Sequence, residues 1–234
     1  MDSVLDQLQR TASDGEPAET LTSRAYGRVR ADIIQGWLKP GAKLKIEDLR
    51  DRYDVGASPI REALSLLSAD GLVERIEQRG FRVANVSREE FADILKVRCW
   101  LEERALREAI AHGGDDWEEQ LVLVGFRLSK QPRSSGAAGR FQANNEWEER
   151  HKEFHMALIS ACGSPTLLGY CDQLYDLNIR YRHLAGPVSY PDRDTAREHS
   201  EILAATLDRD TDLAVERLVA HYTKTGAFLA DTLA

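Results

Sequence analysis

Cysteine is scarce in this chain: there are three in 234 residues, Cys99, Cys162 and Cys171, an odd and scattered set. A disulfide framework is therefore excluded, and a reducing cytoplasm is the expected compartment. Long apolar runs are also missing. No stretch reaches about eighteen apolar residues, so no transmembrane helix and no membrane partner are expected. The acidic, polar start, Met1 to Thr22, is unlike a secretory signal. There is no Gly-rich phosphate loop, no Cys-x-x-Cys pair and no Gly-x-Ser-x-Gly elbow. No repeat with a period of about 20–50 residues is visible. Positive charge is in deficit too: 31 Lys/Arg against 39 Asp/Glu leave −8. Taken as one number, that argues against nucleic acid.

Counted by segment, the charge separates. Residues 1–21 carry −4, residues 22–86 carry +3 from twelve Lys/Arg against nine Asp/Glu, and the remainder carries −7. A mildly basic segment thus lies between two acidic ones, and the summed charge says nothing about one face meeting phosphate. With 42% hydrophobic residues the chain can bury a large core in one or two domains.

Residues 1–21, poor in large apolar groups and containing Ser13-Asp14-Gly15-Glu16-Pro17, are expected to form a flexible acidic arm. Leu21, Ala25, Val29, Ile33 and Ile34 then recur at helical spacing up to Gly36. Ile46 to Tyr53 predicts a short second helix. Ser58-Pro59 opens a third, with Ser58 as a capping residue, Ile60, Ala63, Leu64 and Leu67 inward, and Gly71 as its terminator. Leu72 to Gln78 and Phe81 to Val86 flank Arg79-Gly80 and predict a β-hairpin. Three helices and a hairpin in this order make a winged helix–turn–helix over residues 22–86. Beyond Val86 the pattern is all-helical: a capping box at Ser87 to Glu90, then six helices through residue 234, with one clear loop around Gln131 to Gly136. The expected fold is mainly α.

In such a unit the tip of the recognition helix meets the major groove. Ser58, Pro59 and Arg61 would lie there, with Glu62 beside them. Arg79 and Gly80 would form a wing tip for the minor groove, and Lys43 and Lys45 suit the backbone. Solvated surface charge is the plain alternative for any one of these residues. In the second half, His151 and His155 are four apart and share a helix face, while His199 and His221 fall on the last two helices. Four imidazoles on helices of one bundle can hold a divalent ion such as zinc or nickel, or can be structural or surface histidines. Arg98 is either an inward carboxylate-binding group or the partner of Glu102 one turn on. Asn178, Tyr181 and Arg182 are further candidates to line a ligand pocket. Trp100, Trp117 and Trp147 suit core or dimer packing, His112 and His183 the surface, and Cys162 and Cys171 burial as small apolar groups.

The stretch Asp54-Val55-Gly56-Ala57-Ser58-Pro59-Ile60-Arg61-Glu62-Ala63-Leu64, followed by Asp70-Gly71-Leu72-Val73 and Arg79-Gly80-Phe81-Arg82-Val83, resembles the DNA-binding domain of GntR-superfamily transcription regulators. Val97-Arg98, Leu101-Glu102, Phe154-His155, Glu198-His199 and His221 are similar to the effector domain of the FadR branch, and six effector helices resemble its VanR-type subgroup. Ala57 departs from the pattern, standing where members usually carry an arginine, so operator preference is not carried over. The resemblance implies a homodimeric regulator, usually a repressor, that reads a palindromic operator in double-stranded DNA and answers to a small acid. It also implies a metal held by an Asp and three histidines. Here His155, His199 and His221 match, and His151 takes the place of the Asp. That less anionic set favours borderline metals or a metal-free pocket. Glu146-Trp147 through His155, and Ile110 to Glu118, are similar to the glutarate-responsive, carbon-starvation-induced repressors, which implies a short dicarboxylate effector. The competing functions are a histidine-ligated metalloenzyme, with only Glu153 and Glu198 as candidate bases, and a helical interaction module.

Overall fold

The computed structural model describes residues 20–134, 144–184 and 193–232. The chain divides into two compact units. One takes in the chain through Asp32 together with Ala42–Val83; the other takes Ile33–Gly41 and the described residues from Ala84 onward. The expected arm falls almost wholly outside the described residues, as does the end of the 131–136 loop.

In the first unit, α1 (Leu21–Ile34) precedes β1 (Lys43–Leu44), α2 (Ile46–Tyr53), α3 (Ala57–Ala69), β2 (Val73–Ile76) and β3 (Gly80–Val83). Ala25, Val29, Ile60, Ala63, Leu64 and Leu67 are fully buried, which fixes the inner faces of α1 and α3. Leu21, expected on that inner face, is half exposed, because it sits at the open end of its helix. Helix α3 starts one residue earlier than Ser58 predicts. Gly56 is its N-cap and makes no side-chain cap bond, while the Ser58 hydroxyl donates to Glu62 instead. Its end is a Schellman motif: Gly71 takes φ +75, Leu72 N–H bonds the Leu67 carbonyl and Gly71 N–H the Ser68 carbonyl. The hairpin is shorter than expected. Ile76 faces Gly80, so Glu77-Gln78-Arg79 is the turn, and Gly80 opens β3 at φ +90. The two-residue β1 pairs with β3 to complete a three-stranded antiparallel sheet, an element too short to show any alternation in the sequence.

Among the described residues the second unit holds six helices: α4 (Arg88–His112), α5 (Asp115–Lys130), α6 (Asn145–Ile159), α7 (Pro165–Leu184), α8 (Thr195–Leu207) and α9 (Thr211–Thr232). Ser87 caps α4 by accepting from Glu90 N–H, as half of a capping box; the Glu90 carboxylate is taken by Tyr181 instead. Asn144 caps α6 and Asp194 caps α8, which sets where two histidine-bearing helices begin. Helix α4 packs on α6, α7 and α9, and α5 on α6 and α8, around a core that includes Leu106, Leu121, Phe154, Leu158 and Leu218. Gly113 is required where α4 turns into α5, since a Cβ there would come within 2.1 Å of the Trp117 ring. Cys162 and Cys171 are buried, and no helix is long and apolar enough to cross a membrane among the described residues.

Candidate functional site

In the first unit the expected DNA-reading side chains all lie at the surface. Ser58, Arg61 and Glu62 are exposed on the first turns of α3, with Pro59 half-buried beside them. Glu62 accepts from the Thr22 and Ser58 hydroxyls, which holds its carboxylate close to the helix N-terminus. Arg79 stands at the hairpin tip beside Gly80, and Lys43 lies exposed on the edge strand β1. Lys45, the N-cap residue of α2, is 4.0 Å from Asp48. These residues present donors on a surface, with free α3 amides at its tip.

In the second unit, helices α6, α8 and α9 bring the four histidines together. Helical periodicity puts His151 and His155 on one face of α6, opposite His199 of α8 and His221 of α9. All four are buried, and one ring nitrogen of each lies within 4.8 Å of the others. His155 Nε2 is 3.1 Å from His151 Nε2, and His199 Nε2 has no hydrogen-bond partner among the described residues.

The opposite ring atoms are held by an outer shell. His221 Nδ1 is 2.8 Å from the Glu198 carboxylate, His155 Nδ1 is 2.8 Å from the Tyr222 hydroxyl, and His151 Nδ1 is 2.7 Å from the Tyr175 hydroxyl. Tyr222 donates its own proton to Glu102, so its oxygen accepts from His155 Nδ1–H. A carboxylate can only accept, so His221 carries its proton on Nδ1 as well. Both assignments leave Nε2 with its lone pair facing the centre. Burial, with the neighbouring imidazoles, pushes His151, His155 and His199 well below the ordinary histidine value. Burial likewise lowers His221 to about 4, although Glu198 works against the shift. Burial alone would raise Glu198, yet its bonds to His221 and Arg193 hold it well below the usual carboxylate range. The centre therefore consists of neutral imidazoles, the form that ligates metal.

Tetrahedral zinc at about 2.0–2.1 Å from each nitrogen needs nitrogens about 3.3 Å apart. The 3.1 Å pair is near that spacing and the buried His199 Nε2 has no partner among the described residues, while the set as a whole, spread over as much as 4.8 Å, would have to draw in around an ion.

A narrow cleft leads onto the histidines. Arg133 and Arg182 lie over the Trp147 ring at 5.7 and 5.4 Å, and Trp147 stacks on His151 at 4.5 Å. Arg193, at the same cleft, donates to Glu198, to Thr225 and to the His221 carbonyl, and Arg182 is bonded to Glu148. The cleft adjoins a cavity of about 270 Å³ whose walls include Gly125, Leu128, Phe154, Leu203, Ser129 and Ser200. This volume suits a molecule of a few carbons. Arg133, Arg182 and Arg193 bring guanidiniums to this cleft, the last two already paired with Glu148 and Glu198.

Not every expected pocket residue reaches this cleft. Arg182 lines it. Arg98 does not: it is buried between the Tyr175 and Tyr222 rings, at 4.7 and 4.0 Å, and bonds Glu102 at 2.6 Å. Of the two alternatives for Arg98, the intrahelical pair is the one formed. Asn178 accepts from Arg98 at 3.2 Å in the same buried layer. Tyr181 points elsewhere, packing on Phe91 and donating to Glu90. It lies three residues beyond Asn178, near the end of its helix, where Phe91 and Glu90 of α4 meet it. Trp147 belongs to the cleft rather than to core or dimer packing alone, while Trp117 is core and Trp100 is mostly exposed. His183 is half-buried, with Nδ1 on the Ile34 carbonyl, whereas His112 is exposed as expected. Arg133 and Arg193 escape sequence reasoning because they lie in connections. Tyr175 and Tyr222 escape it because helical spacing marks them as core. The candidate bases are occupied: Glu153 pairs with Arg150 and Glu198 with Arg193.

Comparison with known proteins agrees with both halves. The model for bacterial regulatory proteins of the gntR family matches residues 21–83, and the FCD domain matches residues 93–224. The chain is 38% identical over 207 residues to the HTH-type transcriptional repressor GlaR of Escherichia coli, covering 86% of this chain and 93% of that protein. It is 37% identical over 202 residues to the uncharacterized HTH-type transcriptional regulator BphR of Paraburkholderia xenovorans, covering 86% and 82%. The solved structure of Escherichia coli McbR/YncC shares the fold, with a TM-score of 0.74 at 21% identity over 90% of this chain and 97% of that one. Both domains and the relatives are those of DNA-binding regulators and not of enzymes: this chain belongs to the GntR family of bacterial transcription regulators and carries an FCD domain as its second half.

Proposed function

We propose that this chain is a repressor that binds a palindromic operator as a homodimer and lets it go when a small organic acid enters the cleft above a metal ion held by His151, His155, His199 and His221. The convergence of four neutral imidazoles beneath a cleft rimmed by Arg133, Arg182 and Arg193 carries this reading. His151, His155, His199 and His221 would hold a divalent ion, zinc or nickel by the all-nitrogen donor set, and with a coordination number above four that ion would supply Lewis-acid attraction for a carboxylate oxygen. The arginines supply the remaining charge complementarity, and Trp147 holds two of the guanidiniums in place. A second carboxylate, directed at the rim, would meet Arg133, Arg182 and Arg193 alongside their present partners. A short dicarboxylate is therefore the effector this reading prefers. The relative named a transcriptional repressor supports the sign of regulation. On the operator side, Arg61 reads a base, Ser58 and the α3 amides hold phosphate, Arg79 and Gly80 enter the minor groove, and Lys43 and Lys45 meet the backbone.

The test is a thermal-shift screen of short mono- and dicarboxylates with and without zinc or nickel, followed by gel-shift titration on DNA flanking the chain's own gene. The expected result is an ion-dependent stabilisation by a dicarboxylate that also weakens the DNA complex. Stabilisation by acids that is indifferent to the ion and to His199→Ala overturns the site. A DNA affinity that does not change with salt overturns the operator reading, because phosphate contacts must release counterions.

A further inference from the structure

The cavity beside the cleft differs from it in chemistry. Gly125 and Leu128 of α5, Phe154 of α6 and Leu203 of α8 face it, and among the described residues Arg133, at the boundary with the cleft, is the one fixed charge on its walls. Its serine hydroxyls are already committed: Ser129 donates to the Phe126 carbonyl and Ser200 to the Ala196 carbonyl. The Gln131 amide donates to Glu146. A carboxylate carried into this chamber gives up water and gains few donors, whereas methylene groups gain by leaving water. The chamber thus suits the uncharged part of a ligand whose charged ends stay outside it.

One close approach sets its size. Gly125 lies in the middle of α5, a place where glycine weakens a helix relative to alanine. A Cβ there would come within 2.6 Å of Leu203 Cδ2 and 3.9 Å of the Phe154 ring, so the missing side chain is what lets Leu203 lie against α5 and leaves a space of about 270 Å³. Any larger residue displaces Leu203, and both side chains then compete for the same space. We propose, on the basis of the acid-binding reading above, that this chamber selects the effector by the length of its carbon chain, with Gly125 and Leu203 setting the limit. The carboxylates stay at the histidines and arginines, and the methylenes between them fill the space against Leu128, Phe154 and Leu203. A chain too short leaves these walls facing a void, and one too long is crowded against Leu203; both cost binding.

The test is calorimetric titration of the full chain, in zinc-containing buffer, with linear dicarboxylates of about four to ten carbons. Wild-type protein is expected to bind one length at least about tenfold more tightly than chains about two carbons shorter or longer, because a misplaced methylene in an apolar pocket costs at least that factor. Leu203→Ala, which enlarges the chamber, is expected to move the optimum to a longer chain. Gly125→Ala, which narrows it, is expected to move the optimum to a shorter one. Circular dichroism checks that each variant is folded, and Gly125→Ala, which favours its helix, carries the test by itself should Leu203→Ala unfold. A wild-type protein that binds all lengths alike, or an optimum that neither variant moves, overturns the chamber's role and leaves acid binding at the cleft standing. Binding of none of these acids overturns the acid reading, and the length limit falls with it.

Discussion

The proton on His155 is fixed from a distance, and the strength of the histidine centre depends on it. Glu102 accepts from Tyr222, Tyr222 accepts from His155 Nδ1–H, and Nε2 is left to face His151, His199 and His221. Arg98 anchors the far end by neutralising Glu102 within the same buried layer. Tyr222→Phe removes the hydroxyl and leaves the Glu102 oxygen and the His155 Nδ1–H unpaired. Outer-shell losses of this kind typically cost about 10–100-fold in metal affinity, and that fall is expected in a competition titration against a chromophoric chelator. An unchanged affinity would show that the tyrosine is only packing. The same burial makes stability depend on pH. Below the ordinary histidine value of 6.5 the unfolded chain takes up protons that the folded imidazoles refuse, His221 down to about 4. The unfolded state then binds more protons, so stability falls as pH drops through this window, by up to about 1.4 kcal/mol per pH unit for each histidine. Urea unfolding of metal-free protein between pH 7.5 and 5, chosen as about the upper and lower edges of histidine titration, should show this slope. His199→Gln should flatten it.

Among the elements, α3 and the wing divide the expected work on DNA. Arg61 lies exposed on the first turns of α3, where a recognition helix meets base edges, so Arg61→Ala is expected to cost about 1–3 kcal/mol at the best operator and less elsewhere. Arg79 lies at the hairpin tip, so Arg79→Ala is expected to weaken binding evenly across sequences and to lower the salt slope by about one. Gel-shift titration of both variants on operator and random DNA at several salt concentrations separates them; equal behaviour on both DNAs would remove Arg61 as a reader. These elements were legible in the sequence because their signals are local: the inward stripe Ile60, Ala63, Leu64 and Leu67, the Gly71 stop, the glycine at the hairpin. The six effector helices were legible for the same reason. Two adjustments of the α3 start and the hairpin ends come from backbone bonds that leave no side-chain trace, with Gly56 capping and Ile76 facing Gly80. The pocket was only half legible. Histidines announce themselves wherever they stand, whereas Arg133 and Arg193 enter through connections between helices. Arg98 and Tyr181 had the right chemistry but faced, respectively, a buried carboxylate and a different cluster.

For the whole molecule, the proposed function requires that an event at the histidine centre be felt by the DNA-binding surface of a dimer. Such coupling is reciprocal: if the acid weakens operator binding by some factor, operator must weaken acid binding by the same factor. Within the second unit, Gly125 and Leu128 of α5 wall the cavity together with Phe154 and Leu203, so a molecule that fills it touches that helix. Under the proposed function a metal would serve the sensing step and not the reading step, and this separates two experiments. Protein stripped with a chelator is expected to bind its operator with unchanged affinity, since Ser58, Arg61 and Arg79 belong to a different compact unit from the four histidines. The same stripped protein is expected to bind the acid at least about tenfold more weakly, because a carboxylate facing neutral imidazoles has lost its strongest counter-charge. Calorimetric titration of the acid, with and without operator and with and without metal, measures all four corners of this cycle. If metal removal lowers operator affinity in the absence of any acid, the ion is a structural support for the DNA-bound form, and the division between sensing and reading proposed for this chain is wrong.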